Sequence, residues 1–221
     1  MSTFNIIGDS HSNDIYDLLW NNGSFIVKHY AAAECPFHIE KCGGSSKSMK
    51  KLISSLKEGD VIIFASKYLS RIKNNTLDYE YKMTEFFKST LPLLNKKGAI
   101  TILKLPHPNV NPPKVSNGLI CKKEIYRPNL DPNCFVEGTP KSNFTNDMKI
   151  TIYPILKNLQ KEFPRLLYLD ISDVTCPEDY CFPVNEKNQY LRDSNHLFIS
   201  SPELSDGLVN KLNLVLSKND S

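Results

Sequence analysis

The chain carries almost no excess charge: 27 lysines and arginines face 24 aspartates and glutamates, a formal net charge of +3 over 221 residues. That balance lacks the basic stripe that binding to nucleic acid requires. The pairs Lys50-Lys51 and Lys122-Lys123 are short and read as solvated surface. No apolar run approaches the roughly 20 residues needed to cross a bilayer. No charged start followed by an apolar signal segment is present. The first apolar run, Phe4 to Ile7, has the length of a strand. Internal repeats and low-complexity linkers are missing as well, so residues 1–221 read as one domain with its own core. There is no Cys-x-x-Cys, and the five histidines do not gather near the cysteines as zinc ligands would.

Cysteine itself is well represented. Cys35, Cys42, Cys121, Cys134, Cys176 and Cys181 fall into three close pairs along the chain. An even count with local pairing points to disulfides and an oxidising compartment. Six cysteines can pair in many ways, and sequence alone does not choose among them. Buried free thiols in a cytosolic protein are the competing reading, which thiol counting before and after reduction would decide. Asn-x-Ser/Thr sites at Asn22, Asn74, Asn143 and Asn219 are compatible with secretion, though each is a weak signal. Oxidising chemistry without a signal segment leads to the expectation of a piece cut from a longer secreted or membrane protein.

Short buried runs alternate with amphipathic stretches. Strands are expected at Thr3 to Ile7, Phe25 to His29, Asp60 to Ala65, Gly98 to Leu103 and Leu166 to Ile171. The run Val-Ile-Ile-Phe within Asp60 to Ala65 suits a strand buried on both faces. Helical spacing appears at Asn13 to Trp20, Ser46 to Leu56, Leu77 to Leu94, Phe144 to Phe163 and Ser201 to Leu216. Pro154 should bend or interrupt the fourth of these. Five alternations of strand and helix predict an α/β fold: a three-layer sandwich, with a five-stranded parallel sheet between helices on both faces. Pro106 to Pro132 is the one long irregular segment. Trp20 is assigned to the core.

Two pieces at opposite ends carry chemistry. Gly8-Asp9-Ser10-His11 follows the first strand, and Asp193-Ser194-Asn195-His196 stands near the end. In an open parallel sheet, ligands sit beyond the carboxyl ends of the strands. Ser10 there has a helix N-terminus beside it, where backbone N–H groups face a developing oxyanion. Serine needs a base, and His196 can serve, with Asp193 fixing its tautomer. Taken singly, each piece is as easily a helix cap or a surface motif; together, in this order, they describe a nucleophilic hydrolase or acyltransferase. His11 and His107 carry less weight: the one reads as a helix-start residue, the other as a loop histidine at the correct end of the sheet.

Gly8-Asp9-Ser10 and Asp193-x-x-His196 resemble the first and last blocks of the SGNH, or GDSL-like, hydrolases. Ala33-Glu34-Cys35-Pro36-Phe37 ahead of Cys42, the strand Asp60 to Ser66, and Cys176-Pro177 with Cys181 narrow the resemblance. They are similar to the extracytoplasmic SGNH domain fused behind a membrane O-acyltransferase domain. The resemblance spans Ile6 to about Ser201. It implies a flavodoxin-like SGNH fold with Ser10 as nucleophile, His196 as general base and acid, and Asp193 as its orienting carboxylate. It implies Asp9 as a structural residue at the site, with the Ser10 backbone N–H as an oxyanion donor. It also implies an acyl donor, a carbohydrate acceptor, a membrane acyltransferase domain in the same polypeptide, and an extracytoplasmic location. Neither a metal nor an organic cofactor is expected. Neighbour pairing of the cysteines (Cys35–Cys42, Cys121–Cys134, Cys176–Cys181) goes with this expectation.

The chain also departs from the family pattern. A glycine after the second strand is missing from Tyr30-Ala31-Ala32-Ala33-Glu34. Lys67 stands where the family has an asparagine after the third strand, so Lys67 becomes the expected second oxyanion donor. A lysine stabilises negative charge with looser geometry than an amide. The departures keep a second reading open, a catalytically silent module that holds a glycan or a partner beside a membrane enzyme.

Overall fold

The computed structural model of the chain describes residues 2–31, 43–66, 76–108, 114–115, 134–135, 138–176, 178–181, 197 and 202–217. Five strands form the central sheet: β1 (Thr3–Gly8), β2 (Ile26–Ala31), β3 (Val61–Ala65), β4 (Ile100–Lys104) and β8 (Leu167–Leu169). Their order across the sheet is β2-β1-β3-β4-β8, and every pairing is parallel. Shorter strands pair outside it. β5 (Lys114–Val115) lies antiparallel to β6 (Cys134–Phe135), and β7 (Thr139–Pro140) to β9 (Tyr180–Cys181).

The strands are continuous apolar runs because both faces of the sheet are covered. Side chains alternate between the faces along each strand. Ile7, Ile62, Phe64 and Leu103 pack against α2 (Gly43–Ser55), α3 (Thr76–Lys96) and α5 (Tyr153–Glu162), through Leu52, Phe87 and Ile155 among others. Ile6, Ile63, Ile102 and Leu169 pack on the other face, against Ile15, Leu18 and Leu19 of α1 (Ser10–Asn22) and Leu204, Leu208 and Leu212 of α7 (Pro202–Ser217). Each fully buried side chain of this size stabilises the fold by about 1.5–3 kcal/mol. The result is the expected three-layer α/β arrangement, with each expected strand found to within a few residues.

The long helical stretch expected from Phe144 to Phe163 is three pieces. They are α4 (Lys141–Asp147), a π-helical turn (Met148–Ile152) and α5. Pro154 has no N–H to offer the carbonyl four residues back. The turn ahead of it widens, and the Tyr153 N–H reaches back five residues to the Met148 carbonyl. A short helix α6 (Ser172–Thr175) follows β8.

Two expectations need correction. Trp20 is not core: it is 59% exposed, stacked at 5.9 Å on Tyr16, whose ring in turn stacks at 4.9 Å on His29. Leu18 and Leu19 take the sheet-facing stripe of α1, which leaves Trp20 on the outer stripe one turn beyond Tyr16. The segment Pro106 to Pro132 is not wholly irregular, since it contains β5. Cys176 and Cys181 are disulfide-bonded, with Cα atoms 4.6 Å apart, and both are buried in the α1 and α7 layer. Cys35, Cys42 and Cys121 lie outside the described residues, so the other two pairings do as well.

Gly8 fixes how closely β1 approaches β3. It pairs in register with Ala65, and a Cβ added there would overlap the Ala65 carbonyl oxygen. Neither backbone can move without breaking the parallel ladder. Gly8→Ala is expected to cost at least about 3 kcal/mol, measured as the shift of the urea midpoint. Gly23 adopts φ 71° at the end of α1 in open space, so Gly23→Asn should cost less than about 1 kcal/mol in the same assay. Equal losses at the two sites would refute the close-approach argument.

Candidate active site

Ser10 is the first residue of α1 and is half-buried. It stands at the carboxyl end of β1, which has β2 on one side and β3 on the other. The chain runs out to β2 on one side and returns to β3 on the other, so the crevice where ligands bind in open α/β sheets opens here. Asp9 caps the helix: its Oδ1 accepts the His11 N–H at 3.0 Å, and its carbonyl accepts the Ser12 N–H at 2.9 Å. The same carbonyl accepts the Ser12 hydroxyl at 2.7 Å. The Ser12 hydroxyl hydrogen is thereby committed to that carbonyl, so His29 Nε2, 2.9 Å away, carries a hydrogen and donates it to Ser12 Oγ. Burial lowers the His29 pKa from its usual value, against the opposing pull of Asp17.

One turn beyond Ser10, Asp14 is buried in the layer between α1 and the sheet. Its Oδ2 accepts the backbone N–H of Leu197 at 3.1 Å, across 183 residues of sequence. Leu197 is itself fully buried in the core beneath α1 and α7. The residue immediately after His196 is therefore tied to the helix that begins at Ser10.

A buried lysine belongs to the same neighbourhood. Lys104 ends β4 and is 1% exposed, with Nζ 2.7 Å from His107 Nδ1. Burial lowers the Lys104 ammonium to about 8, while the carboxylates of Asp14, Asp9 and Asp170 pull the other way. His107 and His11 are both buried, with ring centroids 5.9 Å apart, and His11 Nδ1 lies 3.3 Å from Asp9 Oδ1. The polar layer under the Ser10 turn thus holds carboxylates, one ammonium and two imidazoles away from water. Among the described residues, no three His, Cys, Asp or Glu side chains are placed to hold a metal ion.

Of the residues expected at the site, Ser10 and Asp9 are described, and Lys67, Asp193 and His196 lie outside the described residues. Sequence reasoning did not single out Asp14 or Lys104; His11 stands in the first turn of α1 and His107 in the loop after β4, where they were expected. Asp14 had a signal: it falls four residues after Ser10 and four before the core residue Leu18, on one helix stripe. Lys104 had one too, as a charge inside the apolar run Ile100 to Leu105.

The family model for the SGNH domain (fused to AT3 domains) matches residues 2–201. Among solved structures, the chain is similar to the periplasmic domain of a lipopolysaccharide acetyltransferase from Salmonella ser. Paratyphi A. The TM-score is 0.60 at 14% identity, covering 97% of this chain and 83% of that one. A putative SGNH hydrolase from Slackia heliotrinireducens gives a TM-score of 0.55 at 12% identity, covering 97% of this chain and 98% of the other. At such identities the likeness is one of fold. None of the curated proteins matches the chain.

The lowered Lys104 value has a consequence for stability. Between about 8 and the ordinary 10.5, the unfolded chain holds this proton and the folded chain has released it. The unfolding free energy therefore rises with pH through that window. Measured by denaturant titration, the wild type should gain stability relative to Lys104→Met as pH rises from about 8 to 10. A difference that stays flat or falls would show that the ammonium is not held as described.

Proposed function

The chain belongs to the family of SGNH domains fused to AT3 domains, and we propose that it carries out serine-dependent acyl-ester chemistry on a carbohydrate. In this reading it transfers an O-acyl group, most simply acetyl, to a sugar hydroxyl or removes one, on the extracytoplasmic side of a membrane. It is one domain of a longer polypeptide whose membrane part supplies the acyl group. The periplasmic acetyltransferase domain among its structural neighbours supports the location.

Ser10 Oγ attacks the acyl carbonyl carbon while the His196 imidazole takes the hydroxyl proton. The carbonyl oxygen becomes an oxyanion, stabilised by the Ser10 backbone N–H at the start of α1 and by Lys67. Collapse breaks the bond to the leaving oxygen, which receives the proton from His196. Water or a sugar hydroxyl then attacks the acyl-serine, giving its proton to His196, which returns one to Ser10 Oγ. Asp193 accepts the other imidazole N–H throughout and stabilises the imidazolium.

The observation that carries this reading is the Leu197 N–H to Asp14 bond. It anchors the neighbour of His196 one helical turn from Ser10, which is what a base recruited from the far end of the chain requires.

With p-nitrophenyl acetate as acyl donor, Ser10→Ala is expected to lower kcat/KM by at least about 10³. A sulfonyl fluoride should label the tryptic peptide containing Ser10 in the wild type and nothing in the variant. Rates equal to background in both proteins would leave the glycan-binding module as the better account. Asp14→Ala should cost about 1–3 kcal/mol of stability, because the Leu197 amide is left buried without its acceptor. In the protein that remains folded, kcat should fall at least about tenfold as the His196 end of the chain loses its anchor.

A further inference from the structure

Buried polar side chains are almost always hydrogen-bonded, and an exception asks for a reason. Ser66 is 1% exposed, and its Oγ is enclosed with no hydrogen-bond partner among the described residues. A hydroxyl buried in that state costs stability rather than adding to it. Alanine would fill nearly the same space without that cost, since a serine side chain has no other group to pack. Thr101 on β4 is a second enclosed hydroxyl without a partner among the described residues. There the rest of the side chain gives an account: a β-branched residue suits a strand, and Thr101 pairs in register with Ile62 in the body of the sheet. Ser66 has no such account from packing.

Its place in the fold supplies one. β3 ends at Ala65, which pairs in register with Gly8, and the Ala65 carbonyl lies so close that a Cβ on Gly8 would overlap it. The same Cβ would stand 3.1 Å from the Ser12 Cβ, in the first turn of α1. Ser66 is the residue after that rung on β3, as Asp9 is on β1, and Ser10 comes next. The Ser66 hydroxyl therefore belongs to the crevice that opens between the carboxyl ends of β1 and β3.

We propose that the Ser66 hydroxyl donates to the oxyanion formed when Ser10 attacks an acyl carbonyl. The inference rests on the reading of Ser10 as nucleophile. At rest the hydroxyl has no acceptor among the described residues. Its bond forms when charge develops on the substrate oxygen. An interaction made only in the transition state lowers the barrier without tightening substrate binding. A hydroxyl turns about a single bond to meet its acceptor with one directed O–H. That complements Lys67, whose ammonium stabilises charge with looser geometry. A donor held unpaired beforehand lowers folding stability, which active sites commonly give up for rate.

Stability and rate should move in opposite directions when this hydroxyl is removed, which a merely structural serine would not allow. In urea titrations of the whole chain, Ser66→Ala is expected to raise the unfolding midpoint, because an enclosed hydroxyl without a bond is lost. On p-nitrophenyl acetate the same variant should lower kcat at least about tenfold, with KM changed less than about threefold. Labelling by the sulfonyl fluoride should slow but still fall on Ser10. Thr101→Val removes the other enclosed hydroxyl while keeping the branched shape. It should also raise the midpoint, and leave kcat within about twofold of the wild type. A lower midpoint in Ser66→Ala means that the hydroxyl is already bonded in the resting protein, and overturns the proposal. Unchanged kcat in that variant overturns it too, and leaves the Ser10 reading standing. So does an equal fall of kcat in Thr101→Val, since rate would then follow the stability of the sheet and not the donor. A wild type inactive toward the ester and unlabelled at Ser10 overturns the serine reading itself, and the donor role with it.

Discussion

A buried carboxylate carries the organisation of this molecule's working end. Asp14 holds the amide of Leu197 from within the apolar layer under α1, where an isolated ionised group would cost several kcal/mol. Burial of this kind persists when the charge is paired and hydrogen-bonded. The nearby Lys104 ammonium, which feels the carboxylates of Asp9, Asp14 and Asp170, supplies opposite charge. Three carboxylates and one ammonium leave a net negative surplus, which disfavours loss of the lysine's proton. The arrangement that closes the chain's ends onto each other is thus the one that sets the field of the site.

The apolar layers determine where that cluster can sit. On the α1 and α7 face, Ile6, Ile63 and Ile102 fill the middle of the sheet, and polar residues appear only at the carboxyl end. Lys104 is the residue two beyond Ile102, on the same face by strand alternation. α1 does two tasks with two parts of one stripe: Asp14 is polar near the site, and Ile15, Leu18 and Leu19 are apolar further along. α7 is fastened to the same helix by the Ser205 hydroxyl, which donates to the Leu18 carbonyl at 3.0 Å. In the proposed reaction, rigid support of this kind matters because a nucleophile displaced by about 1 Å loses much of its rate.

Much of the fold was legible in the sequence because burial on both faces writes a strong signal. Val61 to Ala65 could hardly be anything but a central strand, whereas the tight approach of β1 to β3 at Gly8 shows only in the folded chain. The five alternations gave the layer arrangement without reference to any contact. Trp20 was misplaced because helical period alone does not say which of two adjacent stripes faces the sheet; the leucines before it decided that. The site was legible only where chemistry is concentrated in a motif. Ser10 announces itself between a strand and a helix, whereas Asp14 looks like an ordinary polar residue of an amphipathic helix until Leu197 is brought to it. Lys104 is hidden for a similar reason. A lysine at a strand end usually reaches solvent, and its partners Asp9, Asp14 and Asp170 come from distant parts of the chain.

The segment leading to the Asp193-x-x-His196 block is bounded by fixed points on both sides, and this follows from bonds remote from the chemistry. Cys181 is held by its disulfide to Cys176 and by β9 pairing with β7. Lys141 reinforces that corner: its amide donates to the Asp179 carbonyl at 2.7 Å and its ammonium to the Cys176 carbonyl at 2.9 Å. Leu197 forms the other boundary, through Asp14. Fixing both ends of a connection limits the conformations open to the chain between them. The disulfide acts on this geometry from within the core layer, since both sulfurs belong to cysteines packed among the α1 and α7 side chains.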